Sequence, residues 1–118
     1  MSQNFQAGDY LIFQIESGFG LLRLLAISEN DGELVWHLGA YNEMFLDVES
    51  ADMALENQMP LTNSIPHVAL TNRAFESTQT ARMMNAPLND SDFQVLEDWK
   101  NGERKISDLS IRLLLGLR

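Results

Sequence analysis

Two histidines are the side chains in this 118-residue sequence best suited to acid–base or metal chemistry. His37 and His67 stand thirty residues apart, and no His-Glu-x-x-His motif joins them. Carboxylates follow His37 at Glu43, Asp47 and Glu49, but Asp47-x-Glu49 lacks the glycine and the ligand spacing of a calcium loop. We therefore expect no metal site among these residues.

The two histidines are expected in different surroundings. His37 falls on the strand face opposite Trp36, which predicts a surface histidine. His67 follows Pro66 at the start of a predicted strand, and we expect its ring to be partly buried. A small-ligand or metal-dependent enzyme that uses His37 or His67 with nearby carboxylates stays open as an alternative function.

Other catalytic patterns are missing. The chain has no Cys, which removes thiol nucleophiles, thiolate metal sites and disulfides. No Gly-x-Ser-x-Gly motif is present, and Gly18-Phe19-Gly20 precedes a strand without the further residues of a phosphate-binding loop. The sequence predicts no catalytic residue and no cofactor, and it favours a protein that is not an enzyme.

Charge is the strongest functional signal. The net charge is −9, and residues 1–59 carry all of it, with ten acids and the single base Arg23. This field repels phosphate backbones and anionic lipid, so we expect neither nucleic acid nor membrane as a partner. The acidic residues serve solubility, or they form an acidic face for a basic protein partner.

The candidate partner-binding residues are acids of the first half with one aromatic anchor. They are Glu29, Asp31, Glu33, Tyr41, Glu43, Asp47 and Glu49. Rim charges of this kind act mainly on association rate and salt dependence. A third possible function is self-association into a homo-oligomer, through apolar strand edges or the Leu-rich last helix.

Strands dominate the predicted first half. Apolar runs at 10–15, 19–27 and 33–38 predict three strands, and Asp31-Gly32 predicts a hairpin turn because this pair tolerates positive φ. Gly18 and Gly20 allow a bulge or a sharp curl in the second strand. Residues 44–48 can form a further strand, and Ser50 can begin a short helical segment that ends at Glu56.

The second half is less determined. Residues 67–71 predict a strand, and residues 73–85 favour a strand that ends near Ser77 over a helix. Asn101-Gly102 favours a hairpin that joins 92–99 to 103–106, whereas Ser91-x-x-Gln94 favours a helix. Ser107 is the predicted N-cap of a short C-terminal helix, with Ile106 and Ile111 as a hydrophobic staple and Gly116 at its end.

Length and pattern together predict one domain over residues 1–118. We expect an α+β fold, mainly β, with a curled antiparallel sheet or a small SH3-like barrel and a short C-terminal helix. The N-terminus has no basic or apolar stretch of a signal peptide, which favours a cytoplasmic protein, most simply a bacterial one.

Three segments resemble a bacterial family of small immunity-protein-like β domains. The first two are Gly8-Asp9 with the apolar strand to Phe13, and the Gly18-x-Gly20 strand with Arg23. The third is residues 92–96 with Asn101-Gly102-Glu103, which looks like that family's late hairpin. The resemblance implies a curved sheet or small barrel, a toxin-neutralising role and no catalytic residues.

Overall fold

Five antiparallel strands form one open sheet in the computed structural model, which describes residues 4–117. The strands are β1 (Asp9–Ile15), β2 (Gly18–Asn30), β3 (Glu33–Phe45), β4 (Asn63–Thr71) and β5 (Ala81–Asn85). Their spatial order is β4-β3-β2-β1-β5. Residues 1–3, part of the segment that bears on a signal peptide, lie outside the described residues.

Four helices are added to the sheet. They are α1 (Val48–Glu56), α2 (Asn72–Thr78), α3 (Asp90–Asn101) and α4 (Ile111–Leu114). Each begins at a capping side chain, since Asp47, Thr71, Asn89 and Ser110 all accept a backbone N–H of the first turn. Within residues 4–117, none of them has the length and apolar character that crossing a bilayer requires.

The predicted meander of the first half is confirmed. Asp31 (φ 52°) and Gly32 (φ 84°) form the β2–β3 turn with positive φ at both positions, as Asp-Gly favours. Gly20 leaves room for the ring of Phe13, because a Cβ there would lie 2.7 Å from that ring. The β2–β3 pairing shifts register next to Gly20, so the expected irregularity of the second strand is present.

The sheet buries both of its faces, and this is why it stays open. Alternate residues of β1, such as Leu11 and Ile12, belong to two separate apolar clusters. α2 and α4 cover the first cluster through Phe75 and Ile111, and α1 covers the second. Helices on both faces remove the apolar surface that closure would bury. The prediction of a mainly β α+β fold with an antiparallel sheet holds, and the SH3-like barrel is wrong.

Residues 73–85 differ from the favoured prediction of a strand ending near Ser77. Thr71 caps a helix that begins at Asn72, and Gln79 ends it in the left-handed region (φ 56°). Phe75 is buried on the sheet, where it stacks on Trp36 with ring centroids 3.9 Å apart. Tertiary burial of this aromatic ring fixes the helix, and strand β5 follows it.

The predicted late hairpin is also wrong, because residues 90–101 form α3. Asn89 and Asp92 make a reciprocal capping box that begins the helix. The half-buried residues Val95, Leu96 and Trp99 recur at helical spacing, whereas Phe93 is 52% exposed. The local cap outweighs the Asn101-Gly102 turn signal.

The C-terminal helix exists but is shorter than predicted. Ser107 does not cap it, because its backbone pairs with Ala69 and Thr71 on the outer edge of β4. Ser110 is the N-cap, so Ile106 and Ile111 are not placed as the predicted staple. Gly116 (φ 75°) follows α4, as expected of a residue that ends a helix.

Candidate functional site

The two histidines meet on β3 and the edge strand β4. His37 on β3 and His67 on β4 belong to adjacent strands, where His37 pairs with Ala69. The Nδ1 of His37 lies 2.9 Å from the Nε2 of His67, and the rings are nearly parallel, 17° apart. Strand pairing thus joins two residues that are thirty positions apart in sequence.

Ser28 extends this contact into a three-residue chain. The Oγ of Ser28 on β2 lies 2.8 Å from the Nε2 of His37. Each contact shares one hydrogen, so the chain runs in one of two directions. Either Ser28 donates to His37 and His37 to His67, or His67 donates to His37 and His37 to Ser28.

Trp99 of α3 covers the histidines. Its ring stands edge-on to His37 at a centroid distance of 4.6 Å, and it lies 6.2 Å from His67. The indole Nε1–H donates to the carbonyl of Lys105 at 2.8 Å, which fixes the ring. His37 is therefore only 2% exposed, and the prediction of a surface histidine is wrong because it left out the covering helix. His67 is half-buried, as expected.

Two clefts open on either side of Trp99. One, of about 370 Å³, is lined by His67 and Ile106 among others. The other, of about 260 Å³, is lined by Ser28, Glu29 and Arg104. Ser28 and His67 thus stand at the edges of the clefts, while His37 lies between them.

The protonation properties of His37 oppose a role in general-base catalysis. Burial is the largest cause that lowers its pKa, to about 4, and the positive charges of His67 and Lys100 act in the same direction. Burial also lowers the pKa of His67. An imidazole with a pKa near 4 is a weak base at neutral pH, so it would hold the proton of Ser28 poorly. The Ser–His–His arrangement therefore meets the distance requirement of a nucleophile relay but not its electrostatic requirement.

The geometry is equally unsuited to a metal ion between the rings. The two facing nitrogens are hydrogen-bonded at 2.9 Å, whereas a tetrahedral zinc would hold its ligand nitrogens roughly 3.3 Å apart. Nowhere within residues 4–117 do three or more His, Cys, Asp or Glu side chains come together as a metal-ligand group.

The seven predicted partner-binding residues divide between the two ends of the β2–β3 hairpin. Glu29, Asp31 and Glu33 are exposed at its tip, around the Asp31-Gly32 turn. Tyr41 and Glu43 lie toward the far end of β3. Glu43 lies ten positions after Glu33 along β3, and an extended strand covers about 30 Å over that length. The structure therefore places these residues in two groups rather than on one face.

The predicted acids of the far group are partly engaged within the chain. The carboxylate of Glu43 accepts the backbone N–H and the hydroxyl of Thr62, and the backbone bond is the main cause that lowers its pKa. Asp47 caps α1 by accepting the N–H of Ser50. Hydrogen bonding with the side chain of Ser50, and then with its backbone, lowers the pKa of Asp47. Glu49 has no hydrogen-bond or ion-pair partner among the described residues.

A helix face of α1 continues this acidic end. Glu49, Asp52, Met53 and Glu56 recur at helical spacing on one side, opposite the buried Ala51 and Leu55. Met53 is 61% exposed, and Leu46, in the turn before the helix, is 84% exposed. We call Leu46, Val48, Glu49, Asp52, Met53 and Glu56 the α1 surface. The predictions omitted its apolar members, because an apolar residue before an N-cap, such as Leu46, often packs against its helix.

The single base of the acidic half is inside the protein. Arg23 is 7% exposed, and it donates to the carbonyls of Gly8, Ala86 and Pro87 and to the Tyr10 hydroxyl. Its guanidinium also lies over the Tyr10 ring, 4.2 Å from the centroid. The surface of residues 4–59 consequently has acids but no exposed Lys or Arg.

Tyr41 is half-buried, so it presents only part of its ring to solvent. Its ring stacks near Tyr10 with centroids 6.2 Å apart. Burial, with a further contribution from Tyr10, raises the pKa of Tyr41 to about 12, so its hydroxyl stays protonated. Any contact of a partner with Tyr41 would involve only the exposed part of a half-buried ring.

Comparison with protein-family models, with curated proteins and with solved structures finds no match to this chain. One of the three segments that resemble immunity-protein-like domains, residues 92–96 with 101–103, is mostly helical rather than a hairpin. The resemblance is left with the strand segments at Gly8–Phe13 and Gly18–Leu25.

Proposed function

We propose that this protein is a non-enzymatic binding domain that takes a basic protein partner on the α1 surface. The observation that carries the proposal is the 84% exposure of Leu46 beside the free carboxylates of α1. A large apolar side chain held in solvent is retained at a cost in solubility, and contact with a partner removes that cost.

The two kinds of side chain on this surface have complementary effects on binding. Burial of Leu46 and Met53 in a partner would contribute about 1.5–3 kcal/mol each, because apolar area leaves water. Five acids and no base lie between residues 43 and 56, and the Arg23 charge is buried, so the field over this surface is negative. That field would accelerate association with a cationic partner and repel anionic ones.

An inhibitor of the immunity type is the specific form of this proposal. The acidic half and the strand segments that resemble immunity-protein-like domains support it. In that role the α1 surface would cover a basic region of a toxin and block its access to an anionic substrate.

The test uses two variants at opposite ends of the same hairpin. The α1 variant combines Leu46→Ser with Met53→Ser, and the control combines Glu29→Gln, Asp31→Asn and Glu33→Gln at the tip. The full chain and both variants are immobilised, host lysate is applied at low salt, and bound protein is released by a salt gradient and identified by mass spectrometry.

We expect the full chain and the tip variant to retain the same basic protein in a stoichiometric amount, and the α1 variant to lose it. Release should occur as salt rises, because the attraction between exposed charges is screened. Retention by the α1 variant with loss by the tip variant would assign binding to the tip of the hairpin and contradict the proposal. Retention by both would contradict it equally.

A further inference from the structure

We propose that the Ser28–His37–His67 chain is an acid-sensitive lock that holds α3 on the sheet at neutral pH and releases it in mildly acidic solution. This inference rests on the histidine geometry and is independent of the binding function proposed above. The lock consists of the two stacked rings, the Ser28 hydroxyl and the Trp99 ring that covers them.

α3 is the helix whose attachment depends most on this contact. Its twelve residues include none that is buried, whereas the nine residues of α1 include the buried Ala51 and Leu55. Its half-buried side chains are Asp92, Val95, Leu96 and Trp99, and Trp99 is the one that lies on the histidine rings. An element with so little buried surface opens locally at a low free-energy cost.

The hydrogen-bond chain accepts one proton but not two. A first proton on His67 is accommodated when the chain runs from His67 to His37 to Ser28, because the serine oxygen can accept. A second proton would place an N–H on each of the two nitrogens that face each other at 2.9 Å. The doubly protonated pair must therefore separate, and separation requires movement of the strands or of Trp99.

The surrounding charges oppose protonation in the closed state. Lys100 on α3, and Arg104 and Lys105 after it, lie around the clefts beside Trp99, and Glu29 of β2 is the acid that faces them. Lys100 and Lys105 are partly balanced by their own neighbours, at 3.6 Å from Glu97 and 3.5 Å from Glu103. The titratable groups that β3 and β4 contribute to the lock are His37 and His67.

Opening of α3 exposes the rings to water, where their ordinary basicity returns. The pKa of His37 is about 4 when buried and 6.5 when solvated. Because the open state binds protons more tightly than the closed state, acidification from pH 7.5 to pH 5 raises the equilibrium constant for opening of α3 by up to about 30-fold. His67, whose pKa burial also lowers, adds to this increase.

The experiment measures hydrogen exchange of the full chain by mass spectrometry at pH 7.5 and pH 5, with rates corrected for the intrinsic effect of pH. The opening constant is compared between amides of residues 95–101 and amides of the β2–β3 pair. His37→Gln removes the more buried titratable ring, and His67→Gln serves if the first variant does not fold. Asp92→Asn is the control for the other half-buried titratable group of α3.

We expect an increase in opening of fivefold or more for residues 95–101 in the unmodified chain and in Asp92→Asn. At both pH values the opening constant of these amides should exceed that of the β2–β3 pair, which exchanges by global unfolding. The His37→Gln or His67→Gln variant should show a clearly smaller increase in α3. A wild-type increase below fivefold, opening constants for residues 95–101 equal to those of the β2–β3 pair at both pH values, or an unchanged response in the histidine variants would overturn the proposal. So would loss of the response in Asp92→Asn.

Discussion

The histidine cluster under α3 and the α1 surface lie over the same side of the sheet but use their polar groups in opposite ways. At the cluster, Ser28, His37 and His67 satisfy one another in hydrogen bonds, and Trp99 excludes water from His37. On the α1 surface, Glu49, Asp52 and Glu56 have no partner among the described residues and face solvent.

This difference separates what each region can do. Burial couples the histidines to the folding equilibrium, because each change in their protonation alters the stability of the packed state. Exposure leaves the α1 carboxylates with little influence on folding and with their full charge available to a partner. Changes at the histidine cluster should therefore alter the free energy of unfolding, whereas changes on the α1 surface should alter binding.

Among changes at these two regions, removal of His37 should have the largest effect on stability. His37→Ala leaves a cavity under Trp99 and deprives Ser28 and His67 of their shared partner, so we expect the free energy of unfolding to fall by about 4 kcal/mol. Urea denaturation measures this change. Glu49→Gln on α1 is the matched control and should alter stability by less than about 0.5 kcal/mol. Similar losses in the two variants would remove the contrast between the regions.

Acidification should produce the next largest effect. The pKa of His37 is about 4 in the folded state against 6.5 when solvated, so the unfolded chain binds more protons between these values. Stability is therefore full above pH 6.5, falls as pH decreases through this window, and loses no more on this account below pH 4. Allowing for solvent screening, we expect the His37 contribution to be about 2 kcal/mol.

The pH series needs a reference, since carboxylates titrate in part of the same range. Chemical denaturation is repeated from pH 7.5 to pH 4 on His37→Gln, which keeps a polar side chain but cannot be protonated. The slope of stability against pH should be smaller in this variant between pH 6.5 and pH 5, where the acids are mostly ionised. Parallel curves for the two proteins would show that His37 does not titrate as its burial requires.

The contrast also explains which features could be predicted from the sequence. The β2–β3 turn, the mainly β character and the helix before Glu56 follow from signals within a few residues, such as Asp31-Gly32. The histidine cluster joins residues 28, 37, 67 and 99 from three strands and a helix. No local pattern determines that Trp99 covers His37, so the burial of this histidine could not be inferred.

Competing local signals account for the error at α3. Asn101-Gly102 is a strong hairpin signal, but it acts only if strands stand on both sides. The Asn89–Asp92 capping box and the helical spacing of Val95 and Trp99 make a helix the better local solution. The predicted capping box at Ser91 was displaced by two positions, which obscured the spacing that would have identified the helix.

The capping box gives a smaller and more local prediction. Asn89→Ala removes the side-chain oxygen that accepts the Asp92 N–H, and we expect a loss of about 1 kcal/mol. Because α3 has no buried residue, hydrogen exchange should increase first in this helix rather than in the sheet. Ser91→Ala is the control, because Ser91 lies two residues after Asn89 and is not the cap. An increase spread evenly over the protein would mean that α3 unfolds only together with the sheet.

The smallest effect on stability should come from the largest apolar change on the α1 surface. In the Leu46→Ser, Met53→Ser variant two apolar side chains are lost, yet they are 84% and 61% exposed, so little burial is lost with them. We expect the free energy of unfolding to change by less than about 0.5 kcal/mol.

Phe75→Ala, which removes an apolar side chain that is 3% exposed, is the contrasting control and should cost about 3–5 kcal/mol. A loss above 1 kcal/mol in the double serine variant would mean that Leu46 and Met53 support folding, and their exposure would no longer indicate a binding surface. A neutral result would show that these two side chains contribute nothing to the fold, as the proposed binding surface requires.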